Sequence, residues 1–175
     1  MGLADGSRIA KEHPLAQAIG DVDEANSAIG IALIHVEDGE ACTMLTAIQN
    51  ELFDLGADIA TPAEDFGPSE TALRIVQPQI DRLEREIDRM NESLEPLRSF
   101  ILPGGGAAAA HLHLARTIVR RAERSTVEAS RHLPLNPLAR IYLNRLSDHL
   151  FVLARSLAKQ EGGDVQWQPG ATRGA

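Results

Sequence analysis

Between residues 70 and 95, apolar side chains recur at alternating steps of three and four: Leu73, Val76, Ile80, Leu83, Ile87, Met90 and Leu94. This spacing draws one narrow seam along a helix, of the kind that packs helices at shallow angles. Ser69 is placed to cap the start of such a helix and Pro96 to stop it. A second helix is predicted over 14–36. It opens on Pro14 and is lined by Leu15, Ala18, Ile19, Val22, Ile29, Leu33 and Val36, with Asp23, Glu24 and Asn26 interrupting the stripe. A third, over 41–60, carries Leu45, Ile48, Leu52, Leu55 and Ile59. A fourth, over 107–131, follows three glycines. A fifth, over 137–160, has Asn136 as its cap and a stripe of Leu138, Tyr142, Leu146, Leu150, Leu153 and Leu157, and it ends at Gly162 and Gly163. No segment alternates as a strand would. The connections are mostly short, so consecutive helices are expected to run antiparallel. The fold class is all-α: a five-helix up-and-down bundle. The 175 residues suit one domain, with 164–175 as a C-terminal tail expected to fray at its end.

Composition narrows the functional classes. The chain is 43% hydrophobic but only 3% aromatic, so an aliphatic core is expected. No apolar run reaches the roughly 20 residues of a membrane span, and no apolar leader opens the chain, which gives the expectation of a cytoplasmic protein without a membrane partner. Cys42 is the only cysteine, which excludes an internal disulfide and a thiolate metal cluster. The six histidines form no ligand set: His111 and His113 are two apart on a helix, and neither HExxH nor a carboxylate–xx–His pair is present. A net charge of −8 argues against a nucleic-acid partner. It leaves room for a local anion site, since local charge binds a phosphate.

The local charge lies just past the glycines. Arg116, Arg120 and Arg124 are four apart, so each step turns by only about 40° and the three share one face, joined by His113. Arg121 lies to one side. Like charges at this spacing repel and need an opposing partner. Carboxylates of the chain are one source, with Asp23, Glu24, Glu123 and Asp148 as candidates. A bound polyanion is the other, since guanidinium forks suit phosphate oxygens. The triple glycine could offer backbone N–H groups to an anion or simply make a turn. There is no GxxxxGK[ST] phosphate loop. On the fifth helix, Asn144 and Asp148 share a face, either as a buried pair setting helix register or as ligand contacts.

The blocks "SFILPGGG", "LHLARTIVRRAERS" and "YLNRLSDHLFVLAR", with "LADGSRIAK", "DVDEANSAIG" and "WQPG", resemble the PduO-type ATP:cob(I)alamin adenosyltransferases over nearly the whole chain. The resemblance implies a homotrimer of ferritin-like five-helix bundles with active sites at subunit interfaces. Each site would take ATP, Mg²⁺ with its triphosphate, and cobalamin, and would transfer the 5′-deoxyadenosyl group of ATP to cob(I)alamin. The implied roles are as follows. Phe100 and Ile101 meet the corrin, with Phe100 displacing its lower ligand. Arg116 pairs with Asp23. Lys11, Arg120, Arg124 and Asn144 contact ATP, and Arg121, Glu123 and Asp148 support them. Family members usually begin with a glycine- and threonine-rich loop over ATP, and residues 1–13 resemble only its remnant. A reductase supplying Co(I) and an adenosylcobalamin-dependent enzyme are implied partners. The alternatives to a transferase are a non-catalytic corrinoid- or nucleotide-binding bundle, and a structural oligomer whose arginines are neutralised by carboxylates.

Overall fold

The computed structural model of the chain describes residues 2, 6, 8–67 and 72–174. Five helices follow one another: α1 (Pro14–Leu33), α2 (Gly39–Ile59), α3 (Gln77–Asn91), α4 (Ala107–Ala129) and α5 (Pro137–Gln160). Asp38 caps α2 by accepting from the Ala41 N–H at 2.9 Å. Asn136 caps α5 by accepting from the Leu138 N–H at 3.0 Å. Among the described residues no strand forms; isolated bridges join Gly2 with Arg8 and Ile101 with Gln166.

Side-chain pairs set the helix directions. Arg121 of α4 meets Glu24 of α1, and His111 stacks on His35, so these helices are antiparallel. Asn144 meets Glu123 while Phe151 meets His113, so α5 runs back along α4. Arg82 meets Glu51 and Arg89 meets Glu40, which makes α3 antiparallel to α2. The result is the expected up-and-down order. α1 packs chiefly on α4, α4 on α5, and α3 on α5 rather than on its chain neighbours. The core between them is aliphatic, including Leu45, Ile48, Leu52, Leu55, Leu83, Leu112 and Leu150, all at most 1% exposed.

The expected helix over 70–95 is shorter at both ends. Its predicted cap, Ser69, lies outside the described residues. Helix begins at Gln77, with Pro78 in its first turn. A proline there has no N–H to give and would clash with the carbonyl four residues earlier, so the seam cannot continue backward as helix through Arg74. The chain before it is held differently. Asp58, 1% exposed, accepts from the Arg74 guanidinium at 2.7 Å, from the Ile75 N–H at 2.8 Å and from the Asn136 amide at 2.7 Å. Leu73, counted in the seam, is 60% exposed as a consequence.

A second polar network crosses the core from α2 to α5. The Tyr142 hydroxyl donates to Glu51 at 2.7 Å, and Arg82 joins Glu51 to Glu86 at 2.6 Å each. Nε2 of the fully buried His149 lies 2.7 Å from Glu86. Burial pushes the Glu86 carboxyl up, but its bonds to His149 and Arg82 outweigh that and hold it below the ordinary value of 4.5. A carboxyl lowered in the folded state stabilises the fold above its unfolded value and loses that contribution as pH falls through the folded one. Glu86→Ala is therefore expected to cost about 3 kcal/mol in urea unfolding at pH 7, by leaving the buried His149 without its partner and Arg82 with Glu51 alone. Below about pH 4.5 the gap between variant and parent should narrow.

Candidate functional site

A cavity of about 800 Å³ opens where the 97–101 loop faces α4 and α5. Its apolar side is built by Leu97, Phe100, Ile101 and Phe151, and its polar side by Arg98, Arg116, Arg120, Ser147 and Asp148. Phe100 is 78% exposed, an unusual condition for a phenylalanine without a ligand or partner. It is nevertheless held. Its carbonyl accepts from the Trp167 N–H at 2.8 Å, and its ring meets the Trp167 ring edge-on at 5.9 Å.

Arg116 is half-buried on the floor of the cavity. Its guanidinium lies over the Phe151 ring, 5.6 Å from the centroid, and its Nε is buried with no hydrogen-bond partner. Burial first, and the charge of Arg120 second, push the Arg116 pKa down, against a weaker pull from Asp148. His113 meets the same ring edge-on at 6.0 Å. Burial and then the charge of Arg116 press the His113 imidazole below its ordinary value.

The arginines divide by face. Arg121 is neutralised within the chain: it bonds Glu24 and lies 3.5 Å from Asp21, whose other oxygen accepts from Ser125. Among the described residues, Arg116, Arg120 and Arg124 have no carboxylate partner. Arg120 lines both the main cavity and an adjoining groove of about 380 Å³ that contains Arg124 and Glu123. Arg124 donates to the Arg120 carbonyl at 3.0 Å. Asn144 and Asp148 are both exposed, so neither is the buried register pair; Asn144 donates to Glu123 at 3.0 Å, and Asp148 accepts from Arg145 at 3.2 Å.

Within the single chain Asp23 does not meet Arg116. It lies two residues from Asp21, hence on the other side of α1, in a separate cleft of about 420 Å³ with Ile19, Asn26, Phe53 and Gly56. The acids facing α4 are Asp21 and Glu24, and they take Arg121. Nor is the triple glycine an open anion cradle. Gly105 and Gly106 have φ of +87° and +104°, and a Cβ on Gly105 would stand 2.6 Å from the Ala158 Cβ. The Glu161 carboxylate already rests against Gly106 at the positive end of α4. These glycines let α5 and the start of α4 approach. Lys11 lies exposed in the turn before α1, outside the main cavity.

Sequence reading missed Phe151, Arg98 and the C-terminal strap 164–167, which was assigned to a tail. The sole tryptophan, in an otherwise polar stretch, was the available signal.

The cobalamin adenosyltransferase family profile matches residues 1–157. The chain belongs to this family. It is 49% identical over 177 residues to a corrinoid adenosyltransferase of Mycobacterium tuberculosis (strain ATCC 25618 / H37Rv), covering 99% of this chain and 90% of that one. It is 42% identical over 154 residues to the corrinoid adenosyltransferase PduO of Salmonella typhimurium, spanning 45% of that longer protein. Among solved structures, a variant PduO-type ATP:corrinoid adenosyltransferase from Lactobacillus reuteri, complexed with cobalamin and ATP, superposes with a TM-score of 0.86 at 36% identity. The match covers 95% of this chain and 93% of that one.

Gly105→Ala is expected to destabilise this family member by about 2–3 kcal/mol, through overpacking against Ala158 and a strained positive φ. Thermal unfolding of the variant against the parent measures it.

Proposed function

We propose that this chain transfers the 5′-deoxyadenosyl group of ATP to cob(I)alamin, forming adenosylcobalamin and triphosphate. The observation that carries the reading is one cavity with an apolar wall led by the exposed Phe100 and a cationic wall of Arg116 and Arg120, neither of which forms an ion pair among the described residues. A corrin face is apolar and a triphosphate is densely anionic, so the two walls match two different substrates.

In the reaction the Co(I) electron pair forms a bond to C5′. The C5′–O bond breaks, and its electrons leave with triphosphate. The cobalt centre is itself the nucleophile, so the protein needs no nucleophilic side chain. Its task is to align two substrates, receive the leaving charge and exclude water. Arg120 and Arg124, on the groove that continues from the cavity, hold the phosphates, with Lys11 closing on them. Asn144, its amide engaged by Glu123, contacts the nucleoside. Arg121 stiffens α4 against α1, and Asp148 tempers the charge around Arg116. Phe100 and Ile101 form the corrin wall, where Phe100 takes the place of the lower ligand. Mg²⁺ enters with the triphosphate, as part of the MgATP substrate. Among the described residues no helix is long and apolar enough to cross a membrane, and the reaction is assigned to the cytoplasm. There a reductase would supply Co(I), and an adenosylcobalamin-dependent enzyme would take the product.

Among the described residues, neither Asp23 nor Arg116 has an ion-pair partner in its own chain. They meet if copies assemble as a homotrimer with the Asp23 cleft of one subunit against the Arg116 cavity of the next. The ion pair would then complete the site only in the assembly.

The direct test is formation of adenosylcobalamin from chemically reduced cobalamin and MgATP, followed by absorbance. Arg120→Ala is expected to lower kcat/KM by roughly 10²–10³, the scale for removing a donor to developing charge, with helical circular dichroism unchanged. Parent-like turnover in that variant refutes its phosphate role, and no turnover in the parent refutes the transferase. Sedimentation is expected to give three times the 18.9 kDa chain mass. A monomer would leave Asp23 and Arg116 with no way to meet.

A further inference from the structure

We infer that Arg155 and Asp164 form a latch that positions Phe100, and that Arg155 is a positioning residue for the corrinoid half of the site; the functional part of this inference rests on the transferase reading above. Arg155 projects from α5 and is only 7% exposed. Its Nε donates to Asp164 at 2.9 Å and its Nη2 to the Glu95 carbonyl at 2.8 Å. One guanidinium therefore fastens two segments that are far apart in the chain: the stretch following α3, which leads into the Phe100 loop, and the stretch following α5.

The second segment then runs along the first. Leu102 N–H donates to the Val165 carbonyl at 2.7 Å, Trp167 N–H to the Phe100 carbonyl at 2.8 Å, and the Ser99 hydroxyl to the Trp167 carbonyl at 3.3 Å. These bonds bracket Phe100 on both sides in sequence. Little else restrains this loop: Leu97, Arg98, Phe100 and Leu102 are all exposed, so core packing cannot set its course. A planar guanidinium can hold a carboxylate and a carbonyl at fixed directions at once, which a flexible ammonium cannot do. Gly162 and Gly163, at φ +108° and +92°, turn the chain out of α5 so that Asp164 comes back within reach of Arg155.

Asp164 lies on the strap and outside the helices, so Asp164→Ala opens the latch without cutting into the core. The sole tryptophan, Trp167, reports on the strap directly. Acrylamide quenching of its fluorescence in the ligand-free protein should rise in Asp164→Ala. The KM for cob(I)alamin should rise about tenfold, which is 1.4 kcal/mol, while the KM for MgATP stays within about twofold. Arg155→Lys, which keeps the charge but loses the fork, should reproduce the same split. Unchanged quenching would overturn the latch. Increased quenching with equal losses for both substrates, or with no kinetic change, would overturn the positioning role. If the parent protein shows no turnover at all, the transferase reading falls, and the quenching comparison still decides whether Asp164 holds the strap.

Discussion

Close packing of small residues is the constraint on which this structure rests. α4 is buried through Ala108, Ala109, Ala115, Ala122 and Ala129, and α1 answers with Ala18, Ala25, Ala28 and Ala32. With methyl groups in place of larger side chains, the helices approach closely, and α4 can lie between α1 and α5 at once. The buried side of α4 is completed by Leu112, Ile118 and Val119, which leaves its remaining surface for charge. The arginines occupy that surface. Arg121, turned toward α1, is held by Asp21 and Glu24, while Arg116 and Arg120, turned toward α5 and the loop, form no ion pair among the described residues. The chemical asymmetry of the helix thus follows from which neighbour each face meets.

The aromatic side chains work against this aliphatic background. With few of them in the chain, their grouping is informative. Phe100, Phe151 and Trp167 gather around one opening, with the Arg116 guanidinium laid on Phe151. A cation stacked on a ring is oriented without being discharged, unlike one paired with a carboxylate. Arg116 therefore keeps its donors and its charge available for whatever enters from outside its own subunit.

Much of this was legible in the sequence. The five helices, their order and the ends of α5 followed from periodicity and caps. Arg120, Phe100 and Asp148 fall in one cavity, as the signature blocks implied. What escaped has physical reasons. The start of α3 was overextended because Leu73 and Val76 continue a seam by spacing alone, whereas Pro78 and the distant carboxylate of Asp58 decide the backbone there. Of the acids on α1, Glu24 was legible as a partner for the arginines, but Asp21 was not, because one step of two residues on a helix moves a side chain to the other side and Asp21 rather than Asp23 faces Arg121. The Asp164 strap was invisible because its contacts depend on a loop more than 60 residues earlier, and no local pattern encodes a pairing between two irregular segments.

The pairing of α3 with α5 has a consequence for how the chain is made. The seam of α3 is buried against a helix that follows it by a long interval: Glu86 and His149 are 63 residues apart. At roughly 5–20 residues per second, synthesis of that interval takes on the order of several seconds. During that time Ile80, Leu83 and Ile87 emerge on a nascent chain with their eventual cover not yet translated. The charged face of α3, with Asp81, Arg82, Glu84, Arg85, Glu86 and Asp88 interleaved among them, keeps that interim strip narrow and flanked by solvated groups. The same residues that later close the core network thus also shield an unfinished protein from its neighbours on the ribosome.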